Sequence, residues 1–311
     1  MEGEGVLIVG ELNVDLIVSG LKGFPALGQE IVAEKLQVVL GSSSAICAAG
    51  LARLGAKVDF LGRVGADDYG TFVVEELDRL GVGTERVIRD PAVRTGVTIS
   101  LTYPQDRALI TYPGCIPCLT VEDIDPSILP RYRHLHVGSY FLQTGLQPGL
   151  PLLFDQAHRA GLTVSLDVGH DPEERWGGED LLTLLEQVDV FLPNEEEARA
   201  IAGTEETEAA LHELAKRARL VVIKCGSSGA ISLQEGRVVR SPAFHVDVVD
   251  TTGAGDSFNA GFIYAYVLRK IPLEESLRFA NACGALSTTG LGGTAAQPTL
   301  EQVLRLLRGE R

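Results

Sequence analysis

Val6-Leu7-Ile8-Val9 is a run of four apolar residues that stops at Gly10. A strand with no polar side chain on either face suits burial on both faces, as in a parallel sheet between layers of helices. The chain after it supplies such helices. From Ser44 the spacing of Ile46, Ala49, Gly50 and Leu54 predicts a helix closed by Gly55. Strand–helix units then recur. A strand at residues 59–62 precedes a helix at 69–80, and one at 134–137 precedes a helix ending near Gly161. Residues 163–166, 188–192 and 220–224 read as strands, with a helix opened by Asn194 and ending near Gly203. Ser232-Leu233 and Val238-Val239 flank Glu235-Gly236 as a hairpin, residues 246–249 read as a strand, and helices are predicted at 254–268, 273–288 and 300–308. This alternation predicts an α/β fold of three layers, αβα, around a mostly parallel sheet.

Residues 13–18, 31–40, 97–103 and 109–112 carry an extended pattern with little helix between them, and Pro104-Gln105-Asp106 reads as a turn. They predict a small β-sheet lid, built from residues 13–40 and 93–113, on a single domain spanning residues 1–311.

A formal net charge of −15 implies a surface that repels nucleic acid and anionic lipid. A polyanionic substrate would then need a local positive field from helix N-termini or a metal ion. No apolar run reaches membrane-spanning length, and the acidic start Met1-Glu2-Gly3-Glu4-Gly5 does not read as a signal peptide. The five cysteines are odd in number and scattered, which fits a reducing cytoplasm. Cys115-Ile116-Pro117-Cys118 has redox or zinc-like spacing, but no second pair exists, so two thiols in a turn after a strand are expected.

The most informative stretch is Asp250-Thr251-Thr252-Gly253-Ala254-Gly255-Asp256-Ser257-Phe258-Asn259-Ala260-Gly261-Phe262. Gly253 and Gly255 let the backbone bend and approach a ligand. The amides of Ala254, Gly255 and Asp256 then leave a helix N-terminus with no intrahelical acceptor, which makes an anion site. Asp256 inside that site makes chemical sense as an ionised general base, held by the helix dipole, that takes a proton from an attacking hydroxyl while the amides stabilise a phosphoryl group in transit. A capping aspartate at an ordinary turn is the bland reading. G-x-x-x-x-G-K-[ST] is absent, and so is G-x-G-x-x-G after the first strand, which argues against a P-loop enzyme and a dinucleotide-binding dehydrogenase.

On these residues the chain resembles the ribokinase-like carbohydrate kinases, also called the phosphofructokinase-B family. Asp250 to Phe262 is similar to that family's C-terminal signature, and matches extend over nearly the whole chain: Gly10 to Asp15, Gly62 to Gly70, and Pro193-Asn194-Glu195-Glu196-Glu197. The resemblance implies a ribokinase-like fold and ATP-dependent phosphorylation of a sugar hydroxymethyl group. It implies Asp256 as base with Gly253, Ala254 and Gly255 as anion hole. It implies Asn194 and Glu197 organising Mg²⁺ through water, and Lys224, Gly226, Gly229, Thr251, Asn281, Gly284 and Ala285 bordering the nucleotide. A K⁺ ion behind the anion hole would involve Asp250, Thr252, Ser287, Gly290 and Gly292. The lids of such enzymes often pair, which implies a homodimer.

Asn13 and Asp15, two apart on a strand, share a face and would contact substrate hydroxyls. Gly41, Ser42 and Ile46 occupy the family's N-terminal signature, but Ser42 replaces its second glycine and Ile46 an asparagine. Loss of that amide implies that plain ribose is a poor substrate. A nucleoside kinase of the same fold is the alternative, and a non-catalytic sensor is disfavoured by the intact Asp256 turn.

Overall fold

The computed structural model describes residues 3–103 and 107–310; the turn expected at residues 104–106 lies outside them. The first strands are β1 (Val6–Val9), β2 (Asn13–Ser19) and β3 (Lys35–Leu40), followed by helix α1 (Ser43–Arg53). Next come β4 (Val58–Gly65), α2 (Asp68–Arg79), β5 (Gly83–Asp90), β6 (Gly96–Thr102) and β7 (Arg107–Tyr112). The middle of the chain holds β8 (His134–Val137), α3 (Leu150–Arg159), β9 (Thr163–Leu166), α4 (Gly178–Leu185), β10 (Val190–Phe191), α5 (Glu195–Ala202) and α6 (Thr207–Leu214). The last part contains β11 (Val222–Lys224), β12 (Ala230–Gln234), β13 (Arg237–Ser241), α7 (Ala254–Phe262), α8 (Leu273–Ser287) and α9 (Leu300–Leu307). A π-helical segment, Ile263–Leu268, extends α7.

The central sheet runs β10-β9-β8-β1-β4-β5, and each of its pairings is parallel. Bridges Phe191↔Val221 and Asn194↔Lys224 carry the parallel order on to β11, where an antiparallel β11-β12-β13 sheet completes the layer. All four residues of β1 are fully buried, two in each of the large apolar clusters on opposite sides of the sheet. That is the three-layer αβα arrangement expected from the apolar run.

A second sheet, β3-β2-β6-β7, stands against the main body. Its register puts Asn13, Asp15, Ile17, Thr98, Ser100, Leu109 and Thr111 on one face, toward a cavity. The alternate residues Leu16, Val18, Leu36, Val38, Ile110 and Tyr112 share the opposite face, where Leu36, Val38, Ile110 and Tyr112 are exposed.

Four readings change. Residues 246–249 form no strand, and Val248 and Val249 are 61% exposed. The segment crosses from β13, where the Asn281 amide donates to the carbonyls of Ser241 and Pro242 at 2.9 and 3.3 Å, to the end of α8, where the Val249 amide donates to the Thr288 carbonyl at 2.8 Å. The extended stretch at 31–40 pairs only from Lys35. Strand β5 and helices α4 and α6 were not read from the sequence. The predicted helix 254–268 changes to π geometry at Ile263.

Candidate active site

The cavity under the second sheet measures about 580 Å³. Asn13 and Asp15 project into it from β2, and Asn13 Nδ2 donates to Asp15 Oδ1 at 2.9 Å and to Thr98 Oγ1 at 3.2 Å. Burial, offset in part by that amide and by Arg107, pushes Asp15 up to about 6. Gly41 is a glycine because a Cβ there would stand 2.2 Å from Asp15 Oδ1. Ser42 and Ile46 also line the cavity. The Ser42 hydroxyl is not turned to it for recognition: it donates to the Glu11 carbonyl at 2.6 Å and caps α1 by accepting from the Ala45 amide. Ile46 is nearly buried and would touch a Cβ on Gly253 at 3.0 Å, so it buttresses the turn as well as lining the cavity.

The turn itself is built as expected, with one correction. Gly253 has φ 73 and caps α7, whose first turn contains Asp256. Among the described residues the amides of Gly255 and Asp256 have no backbone acceptor, but that of Ala254 is drawn back to the Thr251 carbonyl at 3.2 Å, so the open donors begin at Gly255. Asp250 shapes the approach, accepting from the Thr252 amide at 2.9 Å, the Thr252 hydroxyl at 2.7 Å and the Gly292 amide at 2.8 Å. Arg107, from β7, donates to the Thr252 hydroxyl and so joins the second sheet to the turn. The Ser287 hydroxyl donates within α8, to the Gly284 carbonyl, and Gly290 packs against Ala296.

Asp256 does not sit in a simple positive field. Burial, then the charges of Asp167, Glu11 and Glu197, push its carboxyl well above the usual carboxylate range, against Lys224. Asp167, just past β9, accepts from Lys224 Nζ and Asn259 Nδ2, both at 2.5 Å. Burial alone would raise Asp167, but Lys224 and these hydrogen bonds outweigh it and hold the carboxyl low. Lys224 also reaches Asn259 Oδ1 at 3.3 Å and approaches Gly255: a Cβ there would lie 3.7 Å from Nζ.

Asn194 and Glu197 form a reciprocal cap on α5: Glu197 Oε2 accepts from the Asn194 amide at 2.8 Å, and Asn194 Oδ1 from the Glu197 amide at 2.9 Å. Glu197 is buried, not solvated, and burial with the nearby Asp167 charge pushes it up to about 7. The charges of Asp167, Glu197 and Asp256 all act on Lys224 and hold its ammonium above the usual lysine range. Hard oxygen donors with surplus negative charge fit a divalent cation such as Mg²⁺. Among the described residues no three acidic, histidine or cysteine side chains converge to ligate a metal directly.

Among the residues expected to border a nucleotide, Gly229 has φ 97, and a Cβ there would stand 2.0 Å from the Ser241 carbonyl oxygen. Gly226 (φ 52) faces open space, Gly284 packs near the Ala254 carbonyl, Ala285 is half-buried and Thr251 is exposed. Asp167, Asn259 and Glu11 were missed in the sequence. Asp167 follows an apolar strand at the carboxyl edge of a parallel sheet, where ligands gather, and that position was the available signal. Glu11 lines the cavity, accepting from Ser139 Oγ at 2.8 Å and from both the amide and hydroxyl of Ser44; burial raises its carboxyl. Cys115 and Cys118 lie at a 3₁₀ turn after β7; the thiol of Cys115 donates to the Val93 carbonyl at 3.3 Å, and burial pushes it up to about 11.

A parallel α/β sheet, a roofing sheet over its cleft, and a carboxylate beside open helix-terminal amides define a phosphotransferase acting on a small alcohol. The chain belongs to the pfkB family of carbohydrate kinases, whose model matches residues 4–300. It is 33% identical over 304 residues to an ATP-dependent ribose-1-phosphate kinase of Halopiger xanaduensis, covering 97% of both chains. It is 30% identical to a fructokinase of Klebsiella pneumoniae, covering 97% of this chain and 99% of that one. The Arabidopsis thaliana ribokinase solved with ribose and ATP superposes with a TM-score of 0.83 at 27% identity, over 98% of this chain and 99% of the other.

Proposed function

We propose that this carbohydrate kinase moves the γ-phosphoryl group of ATP to a hydroxyl, in the first instance a hydroxymethyl group, of a sugar or sugar-like substrate. One observation carries the reading: Asp256, Asn13 and Asp15 line the same cavity into which the turn's Gly253 opens. Asn13 and Asp15 hold substrate hydroxyls from the roof, and Asp256 accepts the proton of the attacking one. The Gly255 and Asp256 amides, with Gly253 setting the bend and Ala254 behind them, stabilise charge on the transferred group. Lys224, Thr251, Gly226, Gly229, Asn281, Gly284 and Ala285 border the nucleotide. Mg²⁺, organised through water by Asn194 and Glu197, would supply the positive charge that the carboxylate cluster lacks. K⁺ near Asp250, Thr252, Ser287, Gly290 and Gly292 would steady the turn. The exposed apolar outer face of the second sheet supports a homodimer, and five free cysteines support a reducing cytoplasm.

An adenosine-type nucleoside is the second reading. The cavity's volume and its apolar flank of Ile17, Leu109 and Leu142 leave room for a base beside the ribose. The test is ADP release with ribose, fructose, 2-keto-3-deoxygluconate or adenosine as acceptor, for wild type and Asp256→Asn. One acceptor should raise ADP release well above the acceptor-free rate in wild type only. Equal release by Asp256→Asn would overturn the mechanism.

A further inference from the structure

A second cavity, of about 680 Å³, lies between the π-helical segment, the first half of α8, and α9. Its floor is aromatic: Tyr264 and Phe279 are buried and stacked, with ring centroids 5.7 Å apart. Leu300, Leu304 and Leu307 bring one face of α9 to its wall, and Leu304 is 40% exposed.

Two arginines complete the lining. The Arg269 guanidinium lies 4.9 Å from the Tyr264 ring centroid and donates to the Tyr264 hydroxyl at 2.9 Å. That of Arg278 lies 5.8 Å from the Phe244 centroid and donates to the Leu307 carbonyl at 2.8 Å. Each is held by neutral partners that use one of its nitrogens and leave other donors over. Among the described residues neither forms an ion pair, Glu275 in the same lining included. Both side chains are exposed at the cavity mouth, in a chain with 42 acidic residues against 27 Lys+Arg, where Arg63, Arg217 and Arg240 have carboxylate partners while Arg53 and Arg86 bond to neutral groups. The backbone of one wall is also uncommon: a π-helical run followed by Lys270 at φ 56, a left-handed residue that is not glycine.

We propose that this cavity is a regulatory site for a small planar apolar molecule carrying one oxyanion, a carboxylate or a phosphate. The flat body lies against Tyr264, Phe279 and Leu304, and the oxyanion takes the remaining donors of Arg269 and Arg278. Arg278 is three residues before Asn281 on α8, and the π segment continues α7 from Asp256. A ligand here wedges the far ends of the two helices whose near ends border the transfer site, so its occupancy is expected to change the apparent KM for ATP.

The test uses 1-naphthoate, 1-naphthyl phosphate and neutral 1-naphthalenemethanol, titrated calorimetrically into the full chain saturated with ATP in the absence of acceptor. At least one anion should bind with a Kd tenfold or more below that of the alcohol, and the two anions distinguish carboxylate from phosphate. Arg269→Gln/Arg278→Gln should weaken that anion at least tenfold while the rate without probe stays within twofold of wild type. Leu304→Gln, at an exposed position, should weaken all three probes and serves if the arginine variant does not fold. Equal binding of anion and alcohol, no binding by either anion, or unchanged affinity in the variants would overturn the proposal.

Discussion

Gly253 and Gly255 sit two residues apart in the turn that opens α7, yet the structure gives them opposite reasons for being glycine. Gly253 has φ 73, and a Cβ there would meet the Gly293 Cα at 2.8 Å and Ile46 Cγ2 at 3.0 Å. Gly253→Ala therefore incurs a left-handed backbone, at about 1–2 kcal/mol, and an overpacked contact at about 1–3 kcal/mol. The sum is about 2–5 kcal/mol of lost stability. Gly255 lies inside the first turn of α7 without a left-handed φ, and a Cβ there meets nothing closer than Lys224 Nζ at 3.7 Å. Gly255→Ala should fold at least as well as wild type and gain about 0.5–1 kcal/mol from helix preference. Its methyl group nevertheless points toward Lys224 beside the open amides, where the proposed mechanism seats the phosphoryl group. Loss of such donor contact costs about 10²-fold or more in kcat. Urea denaturation and a coupled ADP-release assay on both variants separate the two effects. A Gly255→Ala enzyme that keeps a tenth or more of wild-type kcat would refute the idea that this glycine leaves room for phosphate. A Gly253→Ala chain as stable as wild type would refute the steric account of the turn.

Asp256→Asn should retain ATP binding by calorimetry and lose at least ~10²-fold in kcat; a tenth of wild-type kcat remaining would end its assignment as base. Glu197 is raised to about 7 in the folded chain, so between the ordinary glutamate value and about pH 7 the folded state holds a proton that the unfolded state has released. Stability falls as pH rises through that window. Glu197→Gln, which keeps an oxygen for the α5 cap, should be more stable than wild type at about pH 8 in EDTA, with the gain gone near pH 4, and should need more Mg²⁺ for half-activity. Identical denaturation midpoints at both pH values, or an unchanged Mg²⁺ titration, would contradict it. Wild type should sediment as a dimer at micromolar concentration and Ile110→Glu as a monomer; a monomeric wild type removes the outer-face argument. Rates should be higher in K⁺ than in tetramethylammonium, and equal rates would discard the monovalent-cation site.

The parts of the site that were legible in the sequence are those whose chemistry is local. Gly253, Gly255 and Asp256 follow one another on a turn into a helix, and Asn13 and Asp15 alternate on one strand, so spacing alone brings each set together. Lys224 could be placed at a strand end, but its partners Asp167 and Asn259 lie 57 and 35 positions away, and no periodicity links them. Their meeting depends on strand order in the sheet. The same limit explains Glu11, whose donor Ser139 is 128 positions distant. Residues 246–249 show the reverse: β-branched residues favour a strand, but the Val249 amide is taken by the Thr288 carbonyl at the end of α8 rather than by a strand.

The second sheet binds two tasks to one backbone period. Residues 98, 100, 109 and 111 look into the cavity, while Ile99, Leu101, Ile110 and Tyr112 between them take the other face. A single-residue insertion or deletion within β6 or β7 would exchange the two sets from that point on, emptying the pocket of its hydroxyls and turning apolar side chains onto the substrate. Within this sheet the lining can therefore change one side chain at a time only by point replacement at every second position. Each such replacement leaves the outer face of the sheet untouched, so the pocket can diversify while that apolar surface stays constant.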